Sequence, residues 1–327
     1  MTNVVQTVTG PIDASELGFT LPHEHLVFGM TGWDLDYWPT VPAEEQVRIC
    51  TEWVEQAKSA GVRSLVEVST PEMGRDVNVM REVSERTGVH IICATGLYAR
   101  RPLAYFLRRD TEEIAEFFLH ELQDGIGTSG ARAGLIKCAI ESPQLSGYEQ
   151  TVLGACARAA MVAGVPVMVH TEAGAALAAA RFLSEAGLPG SQTIIAHAES
   201  TPSFDDLLVI ADELGAYVGF DRFGYEVPLS DAKRCALVGA LCHLGLAHRV
   251  LLSHDAVCVL HGRDAHRWDA VADLVRNWRF DHLAKEILPR LSGQGITQAQ
   301  IEQMTEANPA ALLSGASIPA SHSGGAS

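Results

Sequence analysis

Four histidines, one lysine and one aspartate stand where a chain could gather metal ions. Leu21-Pro22-His23-Glu24-His25 closes a short apolar run. On an extended strand residues i and i+2 face the same side, so His23 and His25 project together. Lys137 lies inside the apolar run Leu135-Ile136-Lys137-Cys138-Ala139, His170 ends Val167-Met168-Val169-His170, His197 follows Ile194-Ile195-Ala196, and Asp255 follows Ser253-His254 after a last apolar run. Each residue alone has an ordinary explanation: a surface pair, a lysine snorkelling to water, a rim histidine, a helix N-cap. Together they would bury several polar groups with no partner but one another, and a metal ion removes that cost.

The lysine narrows the chemistry. An ammonium repels cations, but burial favours the neutral amine. A neutral amine can add carbon dioxide and become a carbamate, an anion whose two oxygens can bridge two metal ions about 3.5–4 Å apart. Lys137 is set in an apolar run away from acidic neighbours, as that modification requires.

The elements that must position these residues are legible as alternating patterns. Apolar runs at 19–25, 63–69, 90–95, 133–138, 165–170, 193–197, 216–221 and 249–254 read as parallel strands buried on both faces. Helical segments separate them. Val47, Cys50, Val54 and Ala57 follow Pro42 at helical spacing, with Gly61 as a stop. Asp110 and Glu113 form a capping box for a helix to about Leu122, and Pro202 and Ser203 open another that closes near Gly215. Eight strand–helix units predict an α/β fold, the (β/α)8 TIM barrel, in which the C-terminal strand ends carry the chemistry. A doubly wound open sheet is the alternative, but no Gly-x-Gly-x-x-Gly follows the first strand. One hydrolase domain is expected over residues 1–313, with the Ser/Gly/Ala-rich stretch 314–327 a disordered tail.

Composition sets the outer limits. The 327 residues, 47% of them hydrophobic, suffice for a full barrel core. A net charge of −16 argues against nucleic acid and anionic membrane as partners. No apolar run is long enough to span a bilayer, and the first residues lack a signal peptide's basic and apolar regions. The seven cysteines show no paired C-x-x-C spacing, and Cys93, Cys138 and Cys156 read as small buried hydrophobes. A reducing cytoplasm is the expected location.

At these positions the sequence resembles the phosphotriesterase family of the amidohydrolase superfamily, and within it the phosphotriesterase-like lactonases. The resemblance runs from about Gly10 to Leu313 and rests on the segments around His23, Tyr98, Lys137, His170, His197, Asp221-Arg222 and His254-Asp255, with Glu306-Ala307-Asn308-Pro309 near the end. It implies one divalent ion held by His23, His25 and Asp255 and a second held by His170 and His197. Carboxylated Lys137 and a hydroxide nucleophile would bridge them, and Asp255 would carry the proton. Zinc is the first expectation, with cobalt, manganese and iron as alternatives. Homodimers are common in the family.

Two positions tilt the resemblance towards lactonases: Tyr98, where triesterases carry tryptophan, and Arg222, where they carry histidine. Ordinary explanations are rim packing for Tyr98 and an ion pair with Asp221 or Glu226 for Arg222. One position departs from the family. Three residues past His197, where an acidic relay residue is usual, stands Ser200, with Glu199 beside it. The expected substrates are lactones, N-acyl-homoserine lactones (a quorum-quenching activity) and γ/δ-lactones, with weak organophosphate triester hydrolysis. The alternative is a dedicated organophosphate triesterase. A catalytically silent barrel would have lost ligands, and a mononuclear deaminase would not need Lys137.

The loop after the eighth strand, about 256–281, is expected to shape an apolar acyl channel through Val257, Cys258, Leu260 and Trp268, with Trp278 packing onto the barrel. The first loop, with Phe28, Trp33, Tyr37 and Trp38, is expected to line the pocket or to form a dimer contact.

Overall fold

The computed structural model describes residues 3–98, 102–172, 174–263 and 274–315. Trp268 and the tail from 316 to 327 lie outside them. A two-stranded antiparallel hairpin, β1 (Val4–Thr7) and β2 (Gly10–Asp13), precedes the barrel and was not foreseen. The barrel strands are β3 (Thr20–Phe28), β4 (Ser64–Glu67), β5 (His90–Leu97), β6 (Leu135–Ile140), β7 (Val167–Thr171), β8 (Thr193–Ala196), β9 (Tyr217–Phe220) and β10 (Val250–Leu252), each parallel to its neighbours. All eight fall on the apolar runs, with ends that differ by at most three residues.

The eighth strand is split. Val250–Leu252 pairs with β9, whereas β11 (Val257–Leu260) pairs with β3 on the opposite edge of the strand order. One stretch of chain therefore closes the barrel. Val257, Cys258 and Leu260, expected in a loop, belong to this strand, because β3 runs on to Phe28 and offers them an unpaired edge.

Alternation along the strands gives two cores. Leu65, Ile91, Cys93, Ile136, Cys138, Val169 and Ile195 face outward against the helices. Val66, Val68, Ile92, Ala94, Leu135, Met168, Ile194, Ala196, Tyr217 and Leu251 face inward and fill the barrel axis. Val5, Ala14 and Leu17 from the N-terminal segment and Leu312 and Leu313 from the last helix join this inner core, so both ends of the chain help to plug it. Lys137 and His170 share the inward parity of Leu135 and Met168, but one step further along.

The outer helices begin where local chemistry predicts. The helix Ala43–Ser59 buries Val47, Cys50, Val54 and Ala57. Thr111–Gln123 starts at the Asp110–Glu113 capping box, and Gly147–Ala163 starts at a second box from Ser146 and Glu149. Each such cap contributes about 1 kcal/mol. Ser203 precedes Phe204–Leu208, which continues as a π-helical turn to Glu213. No helix among the described residues is long and apolar enough to cross a membrane.

Candidate metal centre

The structure brings together all six residues singled out for metal binding. His23 Nε2 lies 3.0 Å from Lys137 Nζ and 3.1 Å from Asp255 Oδ1. His25 Nε2 is 3.2 Å from the same Asp255 oxygen. His197 Nε2 is 2.8 Å from His170 Nδ1 and 3.7 Å from Asp255 Oδ2. His23, His25, Lys137, His170 and Asp255 line one cavity of about 250 Å³, together with Tyr98 and Arg222. His197 is fully buried and meets the cavity residue His170 from behind.

What aims these side chains is a ring of outer partners, which sequence reasoning missed. Asp221 accepts from Nδ1 of His23 and from Nδ1 of His197, both at 2.7 Å. His25 Nδ1 is 2.8 Å from Ser69 Oγ, and that hydroxyl donates to Glu67 at 2.6 Å. With these Nδ1–H groups turned outward, the Nε2 lone pairs of His23, His25 and His197 all point inward. Asp221 was visible as the polar residue closing the seventh strand, but nothing local marked it as the shared partner of residues 198 and 24 positions away.

His254 belongs to a different set. Its Nδ1 is 2.6 Å from Glu24 Oε1, and its Nε2 accepts from Leu283 N–H at 3.0 Å. It therefore ties β3, through Glu24, to the helical turn that begins at Leu283, rather than facing the cluster.

Backbone strain is concentrated here. His197 (φ 58°) and Asp255 (φ 54°) are the non-glycine residues with positive φ among the described residues. Left-handed conformations at such residues cost of order 1–3 kcal/mol. The strain is held by His197 N–H donating to Asp221 Oδ1 (2.9 Å) and Asp255 N–H donating to the His23 carbonyl (3.0 Å). Gly96, paired with Lys137 in the β5–β6 ladder, has φ +133°, and a Cβ there would fall 1.8 Å from the Lys137 carbonyl oxygen. Only glycine lets these two strand ends approach so closely.

The electrostatics favour ligands in their metal-binding forms. Burial lowers Lys137 to about 8, against the pull of Asp255 and Asp221, so an appreciable fraction is neutral amine near neutral pH. Burial also lowers His197 to about 4, and it holds His170 well below the usual histidine value, with the His197 and Lys137 charges adding to the effect. His25 is the exception: burial opposes its charge, but Asp255 and Glu67 outweigh that and raise it to about 9. Asp255 is held well below the carboxylate range, because His23 and His197 outweigh its burial. Inward imidazole nitrogens, one ionised carboxylate and one amine whose neutral form burial makes accessible compose a donor set suited to divalent transition ions. His23, His197 and Asp255 alone place three ligand atoms within 4.8 Å of one another.

Around the cluster, several expectations are refined. Arg222 pairs with Glu172 and lies 3.6 Å from Asp255 Oδ2, not with Asp221 or Glu226, because Asp221 is taken by the two histidines. Tyr98 packs against His170, ring centroids 5.2 Å apart, on the cavity wall. Trp278 does bind the barrel, its Nε1 donating to the His254 carbonyl at 2.6 Å, but it also lines the cavity beside Tyr225. Phe28, at the end of β3, and Met30 of the first loop line the cavity, whereas Trp33 stacks on His261 and Tyr37 is fully exposed. Glu199 does not face the cavity: it accepts from the buried Arg234 at 3.0 Å, and burial raises it to about 7.

An α/β barrel bearing this cluster at the C-terminal mouth of its strands is a barrel hydrolase in architecture. The chain belongs to the phosphotriesterase family, whose model matches residues 3–313. It is 32% identical over 319 residues to a phosphotriesterase homology protein of Mycobacterium tuberculosis, covering 93% of this chain and 96% of that one. It is 30% identical to an aryldialkylphosphatase of Saccharolobus solfataricus, covering 93% and 97%. A solved mutant of a phosphotriesterase-like lactonase from Deinococcus radiodurans superposes with a TM-score of 0.90 at 34% identity, covering 94% of this chain and 99% of that one. The family places the chain among hydrolases of ester bonds that act with divalent metals on small molecules.

Proposed function

We propose that the protein is a metal-dependent lactonase that opens N-acyl-homoserine lactones and γ/δ-lactones, with organophosphate triester hydrolysis as a side activity. The observation that carries this reading is the placing of Tyr98 and Arg222 on the wall of the cavity that holds the histidine–lysine–aspartate cluster. On this reading His23, His25 and Asp255 would hold one divalent ion and His170 and His197 another, with Lys137, as a CO2-derived carbamate, completing the ligand set. Zinc suits these donors, as do cobalt, manganese and iron. Such ions supply Lewis acidity and water of lowered pKa.

The chain's own residues do the rest. Asp221 fixes the tautomers of His23 and His197. Water adds to the lactone carbonyl carbon, the ring C–O bond breaks, and Asp255 takes the water's proton and returns it to the leaving alkoxide, so that a hydroxy acid leaves. Tyr98 offers its hydroxyl to the ring oxygen or carbonyl. Phe28, Met30, Met73 and Val257 give the acyl group an apolar wall. The domain is read as residues 1–313, acting as a homodimer in the cytoplasm; Leu35 and Tyr37, exposed on the first loop, support a contact between copies.

The second reading, a dedicated organophosphate triesterase, is favoured by the name of the Saccharolobus relative. The test is kcat/KM for a panel of lactones against a paraoxon-type triester, on protein of measured metal content. Preference for a lactone upholds the first reading, and preference for the triester replaces it with the second.

A further inference from the structure

Glu172 has no part in the scheme above, yet its carboxylate sits on the wall of the same cavity. It follows β7 two residues beyond His170. Its backbone is anchored: its N–H donates to the Ile140 carbonyl at 3.3 Å, and its own carbonyl accepts from Ala175 at 2.9 Å. Oε1 pairs with Nη2 of Arg222 and lies 3.7 Å from His170 Nε2, a buried atom with no hydrogen-bond partner among the described residues. The Arg222 side chain is only 12% exposed and that of Glu172 32%. Arg222 therefore presents a largely desolvated cation to the cavity, and its charge needs an offset.

Two carboxylates flank that guanidinium. Asp255 Oδ2 is 3.6 Å from Nε, but that carboxylate is shared with the cluster, Oδ1 meeting His23 and His25 and Oδ2 lying 3.7 Å from His197. Glu199 acts from further away and is held by Arg234. Asp255 contributes its charge, but Glu172 is the carboxylate that hydrogen-bonds the Arg222 guanidinium directly.

We propose that Glu172 is a specificity-determining residue: by offsetting the charge of Arg222 it makes the cavity accept electrically neutral esters or lactones and reject ligands carrying a carboxylate. The inference rests on the hydrolase reading above and extends it to the product. A lactone is uncharged, whereas the hydroxy acid released from it is an anion at neutral pH. An unpaired guanidinium in a poorly solvated wall would retain that anion. Paired with Glu172, it remains a hydrogen-bond donor to a carbonyl but has little net attraction for a carboxylate, so the product leaves.

The test compares metal-loaded wild type, Glu172→Gln and Glu172→Asp at matched metal content, by calorimetric titration without turnover. The probes are 4-hydroxybutanoate, a carboxylate, and 2-pyrrolidinone, a neutral ring that the enzyme need not cleave. Glu172→Gln keeps an oxygen for Arg222 but loses the charge. It is expected to bind 4-hydroxybutanoate about tenfold more tightly than wild type, with the gain shrinking above about 0.5 M salt. Glu172→Asp is expected to restore weak carboxylate binding, and 2-pyrrolidinone affinity to shift less than about twofold across the series. Unchanged carboxylate affinity in Glu172→Gln would overturn the proposal. So would a parallel shift for both probes, the mark of a residue that only props Arg222 in place. Because the readout is binding, a wild type that hydrolyses no lactone but shows the selective shift would defeat the functional reading and leave this inference standing.

Discussion

His197 Nδ1 lies 2.7 Å from Asp221 Oδ1, with the other nitrogen of the ring turned to the centre of the cluster. His23 meets the second oxygen of the same carboxylate at the same distance, so one aspartate sets the tautomer of two imidazoles. Replacing it by asparagine leaves one acceptor oxygen for the two imidazole donors and the His197 N–H. Asp221→Asn is expected to weaken metal binding about 10–100-fold, measured by competition with a chromophoric chelator. Wild-type affinity in that variant would show that the outer contacts do not set ligand geometry.

Lys137 is the residue whose loss should be most costly to the cluster. Lys137→Ala is expected to lose nearly all activity and at least one metal ion per chain. Elemental analysis of the purified variant beside kcat checks both, and retention of two ions with wild-type turnover would defeat the bridging role.

The neighbouring Gly96 tests the same position through the backbone. In Gly96→Ala the added methyl meets the Lys137 carbonyl at 1.8 Å, so β6 must shift. A displacement of about 1 Å in reacting groups can cost about a hundredfold in rate. A drop of that order in kcat, with the metal content reduced, is the expected result; an unaltered kcat would mean that the strand ends absorb the methyl.

Tyr98 should separate the two candidate substrates. Tyr98→Phe removes the hydroxyl and keeps the ring against His170. kcat/KM for lactones is expected to fall about tenfold, the size of one hydrogen bond to a reacting group, and that for a paraoxon-type triester to fall less. Equal losses on both would remove Tyr98 as a lactone determinant.

Acid stability should depend on Asp231, away from the cluster. It accepts from Gly224 N–H at 2.9 Å and faces Arg234 at 3.3 Å and His282 at 2.7 Å. Burial opposes its charge, but these partners outweigh it and hold the carboxyl below its usual 3.8. Its contribution is therefore complete above the unfolded value and is lost as pH falls through the lower folded one. Asp231→Asn, which leaves the buried Arg234 to Glu199 alone and weakens the contact with His282, is expected to cost about 1.5–3 kcal/mol at pH 7. The gap in Tm between wild type and variant should begin to narrow as pH falls below about 4 and shrink further with acid. A pH-independent gap would assign the loss to packing alone.

Much of the barrel was legible because parallel strands buried on both faces are written as continuous apolar runs, and the capping box at Asp110 and the stop at Gly61 mark helices between them. The cluster was legible because polar residues stand out where such runs end. Less visible was whatever depends on contacts between distant segments. Glu24 and His254, Asp221 and His23, and Glu172 and Arg222 are pairs with no shared period, so no local pattern announces them. The N-terminal hairpin was missed because Gly10-Pro11-Ile12-Asp13 lacks a strand's run of apolar or β-branched residues. The continuation Val257–Leu260 was read as loop because its partner, the far end of β3, extends three residues past the run that ends at His25.

The divided last strand has a mechanical consequence. Asp255 occupies the step between β10 and β11, where the chain leaves β9 and crosses to β3. Its N–H bonds the His23 carbonyl and its carboxylate meets the imidazoles of His23 and His25, so the first and last staves of the barrel are buttoned together at the reaction centre. Cations bound there would act as a rivet across that join. Chelation should then speed amide hydrogen exchange in Thr20–Phe28 and Val257–Leu260 more than in the strands on the opposite wall.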